Sequence, residues 1–498
     1  MKRALSIISN ILLLLAIGMA LYVFEIFPFN PGGPIVPPEQ HGVSRNGEDT
    51  TNPEELPDFL QEGVTRTKTY DEHMTRGNLL AQNGYNALAV AEFEAAADQA
   101  PTNPSPLIAI GKIHLDSGDT IKAKLSFEEA LKLNPSNLEA TIYLGKTLIQ
   151  DREITEAKIL FDGISVHNQL SKFYQAMTHA YVGDHEGAKT AFREAINIGG
   201  DQNITAGAQN FLAAYDEFDA NQGGPAVHLY TLLARSYDQV GEYEMAIPLL
   251  FEVIREKKDY RDAWIILGHS YLSTQKYQDA VEALEEARKL DPQKPETLFF
   301  LGLGYFGLED YEQAAAFLEL AKSNGFQPQV QVDQKLAEIY LILEDYEAAT
   351  DKYEEVLSLN SQEINYFIKP MWVYIEKLNQ PEKAVTLANL ALQTHPDQAM
   401  SYNLLGWAKI ATGDLVEAKQ DLEKAASLDP ELDAVYLNFG TLYQRRGDNQ
   451  TALAFYKKAY ELGGGNSIST AAADMYNKLI GNSDQFDYSS LKVDLLSQ

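Results

Sequence analysis

The chain has 498 residues, a length that suits about three ordinary domains or one long array of repeats. Hydrophobic residues make up 45% of it, so most of the chain can bury a core, and the lack of cysteine excludes disulfides, thiolate metal sites and cysteine nucleophiles. Its 71 acidic residues outnumber its 40 basic residues, and the net charge of −31 argues against nonspecific binding to nucleic acid.

The first 27 residues are predicted to be a membrane anchor. Residues 4–24 follow Lys2 and Arg3 and are apolar apart from three polar residues. As a helix this stretch is about 31 Å long, close to the thickness of a bilayer core. No further basic residue occurs before Arg45, which predicts a cytoplasmic N-terminus and a body on the other side of the membrane. The alternative is a cleaved signal peptide, because residues 18–20 form a small-x-small site, but the apolar run beyond them favours a retained single-pass anchor.

Residues 28–68 are predicted to be a linker. Seven prolines occur between residues 28 and 57, and two of the glycines there are adjacent. Proline-rich chain is extended and cannot build a core. The segment is therefore expected to hold the body away from the membrane.

Eleven copies of a unit of about 34 residues follow. Numbered 1 to 11, these repeats cover 70–103, 104–137, 138–171, 169–202, 227–260, 261–294, 295–328, 330–363, 365–398, 399–432 and 433–466. Alanine occupies position 20 of every repeat: Ala89, Ala123, Ala157, Ala188, Ala246, Ala280, Ala314, Ala349, Ala384, Ala418 and Ala452. Position 8 is Gly or Ala in ten copies, whereas repeat 9 has Trp372 there. Two small residues on facing helices let a helix pair approach closely, so each repeat is predicted to be a helical hairpin.

These residues resemble the tetratricopeptide repeat family. Residues 261–294 match it best, through Trp264, Leu267, Gly268, Tyr271, Tyr277, Ala280, Ala287 and Pro292. The resemblance implies an all-α fold, a right-handed superhelical solenoid of about eleven helix-turn-helix units. It also implies a concave groove, lined by the first helix of each repeat, that captures peptides or proteins.

Two segments interrupt or end the array. Repeats 1–4 (70–202) are separated from repeats 5–11 (227–466) by residues 203–226, which predict an extra helix and a joint. Residues 467–498 predict a capping helix followed by a tail, because a solenoid needs a cover over its last hairpin.

The sequence predicts neither an enzyme nor a metal or cofactor site. The repeats leave no room for a catalytic domain, and Gly302, Gly304 and Gly307 match a dinucleotide pattern without the strand that such a site needs. His179 and His185 are poorly spaced for a shared metal. No catalytic, cofactor-binding or metal-binding residue is therefore predicted.

The resemblance places positions 5, 9 and 12 of each first helix in the groove, and their spacing forms one stripe on a helix. The predicted partner-binding residues are the apolar and aromatic members of this stripe in repeats 4, 6 and 7: Phe173, Met177, Ile265, His269, Leu272, Phe299, Leu303 and Phe306. Apolar and aromatic anchors of this kind are typical of protein interfaces.

Anchor, linker and array together predict a non-enzymatic, membrane-tethered scaffold. It would bind proteins or peptides outside the cytoplasm, at the inner or plasma membrane, in envelope assembly, secretion or surface-appendage biogenesis. The alternatives are a spacer that associates with copies of itself and an accessory subunit of an envelope enzyme complex. No nucleic-acid partner is expected.

Overall fold

The computed structural model describes residues 69–220 and 224–481, and all regular structure in these two ranges is helical. The helices, numbered here α1 to α24, are Tyr70–Gln82, Asn86–Gln99, Ser105–Asp116, Thr120–Leu133, Leu138–Gln150, Ile154–Asp162, Gln169–Tyr181, His185–Ile198, Gln202–Ala220, Ala226–Gln239, Tyr243–Glu256, Arg261–Ser273, Tyr277–Leu290, Pro295–Gly307, Tyr311–Ser323, Gln329–Ile342, Tyr346–Leu359, Ile368–Trp372, Pro381–Thr394, Ala399–Thr412, Leu415–Leu428, Asp433–Arg445, Asn449–Gly463 and Ser467–Ile480. A 3-10 turn, Ile364–Phe367, precedes α18, and a π-turn, Val373–Lys377, follows it.

Several predicted segments lie outside the described residues. These are the anchor (1–27), the linker (28–68), the tail after Gly481 and three residues of the joint, 221–223. Within the ranges that are described, no helix combines the length and the apolar character needed to cross a bilayer.

The chain divides into two compact units, one ending at Asp291 and the other beginning at Pro292. The N-terminal unit contains repeats 1–6 and helix α9, and the C-terminal unit contains repeats 7–11 and helix α24. Within each unit, consecutive helices pair as antiparallel hairpins that stack in chain order.

The hairpins close on small residues, as the repeat pattern predicts. Every alanine at position 20 is completely buried. A Cβ atom added to Gly77, at position 8, would lie 2.6 Å from the ring of Phe93, and one added to Gly302 would lie 2.6 Å from Leu318. Cβ atoms essentially never approach that closely, so only glycine fits at these two positions without a shift of the facing side chain.

The turn between the two helices shares one backbone feature in all eleven repeats. Its residue at position 15 has a positive φ in each copy: Gly84, Gly118, Arg152, Gly183, Gly241, Gln275, Glu309, Glu344, Asn379, Gly413 and Gly447. Six of these are glycine, which adopts a positive φ without steric cost. Each of the eleven predicted repeats therefore has this backbone feature in the structure.

Helix α9 fills the joint predicted at 203–226. Phe211 on this helix is fully buried and stacks on Phe192 of α8, with ring centroids 4.6 Å apart. Its edge also meets the ring of Tyr237 on α10 at 4.9 Å. The extra helix therefore joins repeats 4 and 5 through one continuous core.

The insertion brings repeat 5 back onto repeats 3 and 4. The Tyr174 hydroxyl on α7 donates a hydrogen bond of 2.7 Å to Glu242, which precedes α11. Arg152, after α5, forms an ion pair of 2.7 Å with Glu244 on α11. Burial raises the pKa of Glu242, although the hydrogen bond from Tyr174 opposes this rise.

Repeat 9 departs from the predicted register by one residue. Its first helix ends in the π-turn, where the amide of Leu378 donates to the carbonyl of Val373, five residues earlier. This turn absorbs one extra residue, so the buried Met371, and not Trp372, takes position 8. Met371 shares a core cluster with Ala388, which occupies position 24 of this repeat. In the other repeats position 8 is small and position 24 is large, whereas in repeat 9 the large residue is at position 8 and the small one at position 24.

Helix α24 packs at the end of the C-terminal unit. Its Ser469, Ala472 and Ala473 are buried, and it packs on α22 and α23. Asn466 begins the helix, because its side chain accepts a hydrogen bond from the amide of Ser469 at 3.0 Å.

Candidate functional site

The predicted stripe of repeat 7 lies on α14 in the C-terminal unit. Phe299 is only 5% exposed, because it stacks on Phe326 with ring centroids 4.1 Å apart. Leu303 and Phe306 are half-buried. The Phe306 ring meets the edge of Tyr311 at 5.6 Å, and the amine of Lys335 lies 4.2 Å from its centroid. Leu303 and Phe306 therefore retain accessible apolar surface, whereas Phe299 supports them from the core.

The stripe of repeat 6 lies on α12 in the N-terminal unit, where Ile265 is buried and Leu272 is half-buried. His269 Nδ1 lies 2.8 Å from Oδ2 of the buried Asp238 on α10. The other oxygen of that carboxylate accepts a hydrogen bond of 2.6 Å from Ser270. The Nδ1 atom of His269 is thus engaged in the contact between repeats 5 and 6.

The two predicted residues of repeat 4 lie in the core. Phe173 is 6% exposed and meets Phe211 of α9 edge-on at 6.2 Å, and Met177 is fully buried. The Tyr237 hydroxyl donates a hydrogen bond of 2.7 Å to the Met177 carbonyl. The expectation that Phe173 and Met177 lie on a groove surface is corrected, because the inserted helix and repeat 5 cover this part of α7.

The corrected register of repeat 9 adds a residue to the stripe that the sequence pattern missed. Trp372 moves from position 8 to position 9, the position of Leu303 in repeat 7, and is 38% exposed. Trp407, at position 9 of repeat 10, is half-buried against the neighbouring core. Tyr374 signals the shift in the sequence, because tyrosine is common at position 11 and Tyr374 reaches it only in the corrected register.

A polar cluster centred on His179 links repeats 3 and 4 in the N-terminal unit. Its Nε2 lies 2.7 Å from Asp162 and its Nδ1 lies 2.6 Å from Asp184. Burial alone would raise the pKa of Asp162, but hydrogen bonds from Lys158, His179 and Gln175 lower it to about 2. Since both ring nitrogens of His179 face carboxylates, the cluster serves as a junction between helices.

The described residues form no metal-binding cluster, and the glycine pattern of repeat 7 lies within a helix. No group of three or more His, Asp and Glu side chains in ranges 69–220 and 224–481 could hold a metal ion. Gly302 and Gly304 are buried inside α14, where the backbone amides are engaged in the helix. The glycine pattern around them therefore reflects helix packing.

Two models of the tetratricopeptide repeat match the sequence. One matches residues 231–295 and 266–329, and the other matches residues 105–137, 399–432 and 434–462. No curated protein has a significantly similar sequence.

Solved structures that match the chain include the APC/C hetero-tetramer Cut9–Hcn1, at 12% identity and a TM-score of 0.32, covering 83% of this chain and 97% of that chain. Yeast Tom70 has 13% identity and a TM-score of 0.29, with 83% of this chain and 96% of that chain covered. YrrB, described as a TPR protein with an unusual peptide-binding site, has 17% identity and a TM-score of 0.27, with coverage of 45% and 96%. The matched models identify tetratricopeptide repeats at residues 105–137, 231–329, 399–432 and 434–462, and the other hairpins of the described structure repeat the same packing.

Proposed function

We propose that this protein is a non-enzymatic adaptor that binds other proteins through the first helices of its C-terminal repeats. The observation that carries the proposal is the half-exposed apolar surface of Leu303 and Phe306 on α14. Large apolar side chains that keep accessible surface beside a packed core are typical anchors in protein interfaces. Trp372 and Trp407 extend the same kind of surface at the equivalent position of repeats 9 and 10.

The charge of the chain supports a basic partner. With a net charge of −31, the molecule attracts positively charged proteins over a distance set by the ionic strength. This attraction raises the rate of association, whereas the apolar anchors provide most of the affinity.

The proposal also places the adaptor on a membrane, held by residues 1–27 with its body outside the cytoplasm. It rests on the apolar composition of residues 4–24 and the basic residues before them. A tethered adaptor in that location would serve envelope assembly, secretion or the building of surface appendages.

Site-directed photo-crosslinking in living cells tests the binding surface. A photoreactive amino acid at position 303 is expected to crosslink the full-length chain to another protein, and the Phe306→Glu substitution should abolish the product. The matched control is position 416 on α21, where Val416 is 70% exposed on the second helix of its repeat. No crosslink at position 303, or equal products at both positions, would refute the proposed surface.

Alkaline carbonate extraction tests the anchor separately. The full-length chain is expected to stay in the membrane pellet, and a chain that begins at residue 28 should be released. Release of both chains would contradict a retained anchor.

A further inference from the structure

We propose that Trp372 and Tyr346 form a recognition site for an arginine side chain of a basic partner segment, and that Lys377 occupies this site when no partner is bound. The inference rests on the proposed function, because it assigns a partner chemistry to the same C-terminal unit. Three observations lead to it.

The first observation is the exposure of Trp372. The residues on either side of it, Met371 and Val373, are completely buried, whereas Trp372 itself is 38% exposed. Tryptophan offers the largest and most electron-rich ring among the side chains, and it binds cations best. A tryptophan that the fold turns outward between two core residues is available to a partner.

The second observation is a cation between two aromatic rings. The Lys377 amine lies 5.2 Å from the centroid of the Trp372 ring and 5.4 Å from that of Tyr346, at the start of α17. In an α-helix, a residue five positions later would be rotated by roughly 140° past a full turn. The π-turn reduces this rotation, so the extra residue of repeat 9 is what brings Lys377 over Trp372.

The third observation concerns charge. Within the part of the chain that the structure describes, the Lys377 amine makes no ion pair with a carboxylate, and its side chain is exposed. Carboxylates flank both rings in the sequence: Glu344, Asp345 and Glu347 beside Tyr346, and Glu376 beside Lys377, all exposed. The rings and carboxylates together suit a cation, and the described contacts of the exposed Lys377 amine are with these two rings, where a ligand can replace it.

Arginine fits this site better than lysine. Its guanidinium group is planar and weakly hydrated, so it can stack on the Trp372 ring while its N–H groups pair with the flanking carboxylates. Lysine is a strongly hydrated point charge that loses more solvation on binding. The favoured partner is therefore a protein segment that carries arginine and few acidic residues.

Tryptophan fluorescence measures binding directly. The chain has three tryptophans, so replacing Trp264 and Trp407 by phenylalanine leaves Trp372 as the sole reporter. The full-length chain in a mild non-ionic detergent is titrated, at physiological ionic strength, with the peptide acetyl-(Gly-Arg)4-amide. The matched probe is acetyl-(Gly-Glu)4-amide. A saturable change in Trp372 emission is expected with the arginine peptide alone.

The variants distinguish a cation site from an anion site. Lys377→Met removes the resident cation and is expected to tighten binding of the arginine peptide about 3-fold. Lys369→Met is the matched control, because Lys369 on α18 is also exposed but makes no described contact with an aromatic ring. Tyr346→Leu is expected to weaken binding at least about 5-fold.

Calorimetry with all three tryptophans present covers the case in which the double replacement disturbs the fold. In this assay, Trp372→Leu is expected to weaken binding of the arginine peptide at least about 5-fold while the helicity of the protein stays unchanged. Absence of saturable binding, weaker binding in Lys377→Met, or preference for the glutamate peptide would each overturn the inference.

The outcomes also separate this inference from the proposed function. Crosslinking at position 303 without any binding of the arginine peptide would overturn the inference alone. Binding of the arginine peptide at Trp372 without crosslinking at position 303 would support the inference and refute the proposed surface on α14.

Discussion

Replacing Phe211 by alanine should loosen the joint between repeats 4 and 5. The Phe211 side chain is completely buried, stacks on Phe192 and meets Tyr237 edge-on. It also contacts Phe173, so the same ring keeps that residue away from solvent. Removing the ring leaves a cavity among aromatic side chains that cannot easily collapse.

The expected loss is about 4 kcal/mol of local stability. Substitutions of buried phenylalanine by alanine cost about 3–5 kcal/mol, through lost transfer free energy and the cavity that remains. Each well-oriented aromatic contact adds about 0.5–1.5 kcal/mol. Because Phe211 makes three such contacts, the value should lie in the upper part of this range.

Native-state hydrogen exchange of the full-length chain, read by mass spectrometry, measures the loss where it occurs. Amides of α7 to α10 should exchange faster, whereas those of the C-terminal unit should be unchanged, because repeats depend mainly on their nearest neighbours. Phe218→Ala, on the same helix but only half-buried, is the matched control and should cost about 1 kcal/mol. Equal losses of exchange protection in the two variants would show that Phe211 does not hold the joint between repeats 4 and 5. A loss of local stability under about 1 kcal/mol in Phe211→Ala would show the same.

Three further predictions follow from local geometry. Gln275 has a φ of 57°, a conformation that costs less for glycine, so Gln275→Gly should stabilise the N-terminal unit by about 0.5–1 kcal/mol in urea unfolding. Gly241 occupies the same turn position in repeat 5, and Gly241→Gln should therefore destabilise the unit. The folded-state pKa of Asp162 is about 2, below its ordinary value of 3.8, so its stabilisation is present above pH 4 and is lost as the pH falls through 2. Asp162→Asn should therefore cost about 1 kcal/mol at pH 7, after allowance for solvent screening, and much less near pH 2; an equal difference at both pH values would contradict this. Deleting Glu376 removes the extra residue of the π-turn and should convert it to α-helix, with a loss of under about 1 kcal/mol in stability by thermal unfolding. Deleting Lys409 from the regular helix α20 shifts the register of that helix and should cost several times more.

The sequence by itself determined the architecture of the repeats. Eleven hairpins, the buried alanine at position 20 and the glycine contact at position 8 all follow from a pattern that recurs every 34 residues or so. These features depend on residues within a single hairpin, and the same constraint acts on each copy. Repetition therefore makes a local signal readable without any knowledge of long-range contacts.

The register of repeat 9 needed the backbone. Aligning its Ala384 with the other copies assigned Trp372 to the small-residue position, where so large a side chain could not fit. The π-turn after Trp372 absorbs one residue, so the first and second helices of this repeat follow registers that differ by one. A pattern of fixed period cannot show an insertion that a helix accommodates without a break.

Which stripe residues reach solvent was decided by tertiary structure. Phe173 and Phe299 occupy the same repeat position, but Phe173 is covered by Phe211 from an inserted helix and Phe299 by Phe326 from the following loop. Phe211 lies between repeats, and Phe326 is the one phenylalanine at position 32 among the eleven copies, so the periodic pattern does not predict the burial that either residue causes. Leu303, Phe306 and Trp372 keep accessible surface, because no aromatic residue covers them as Phe211 and Phe326 cover the other two in the described structure. The sequence specified the hairpins through local packing, and contacts between distant segments selected which of their faces remain open.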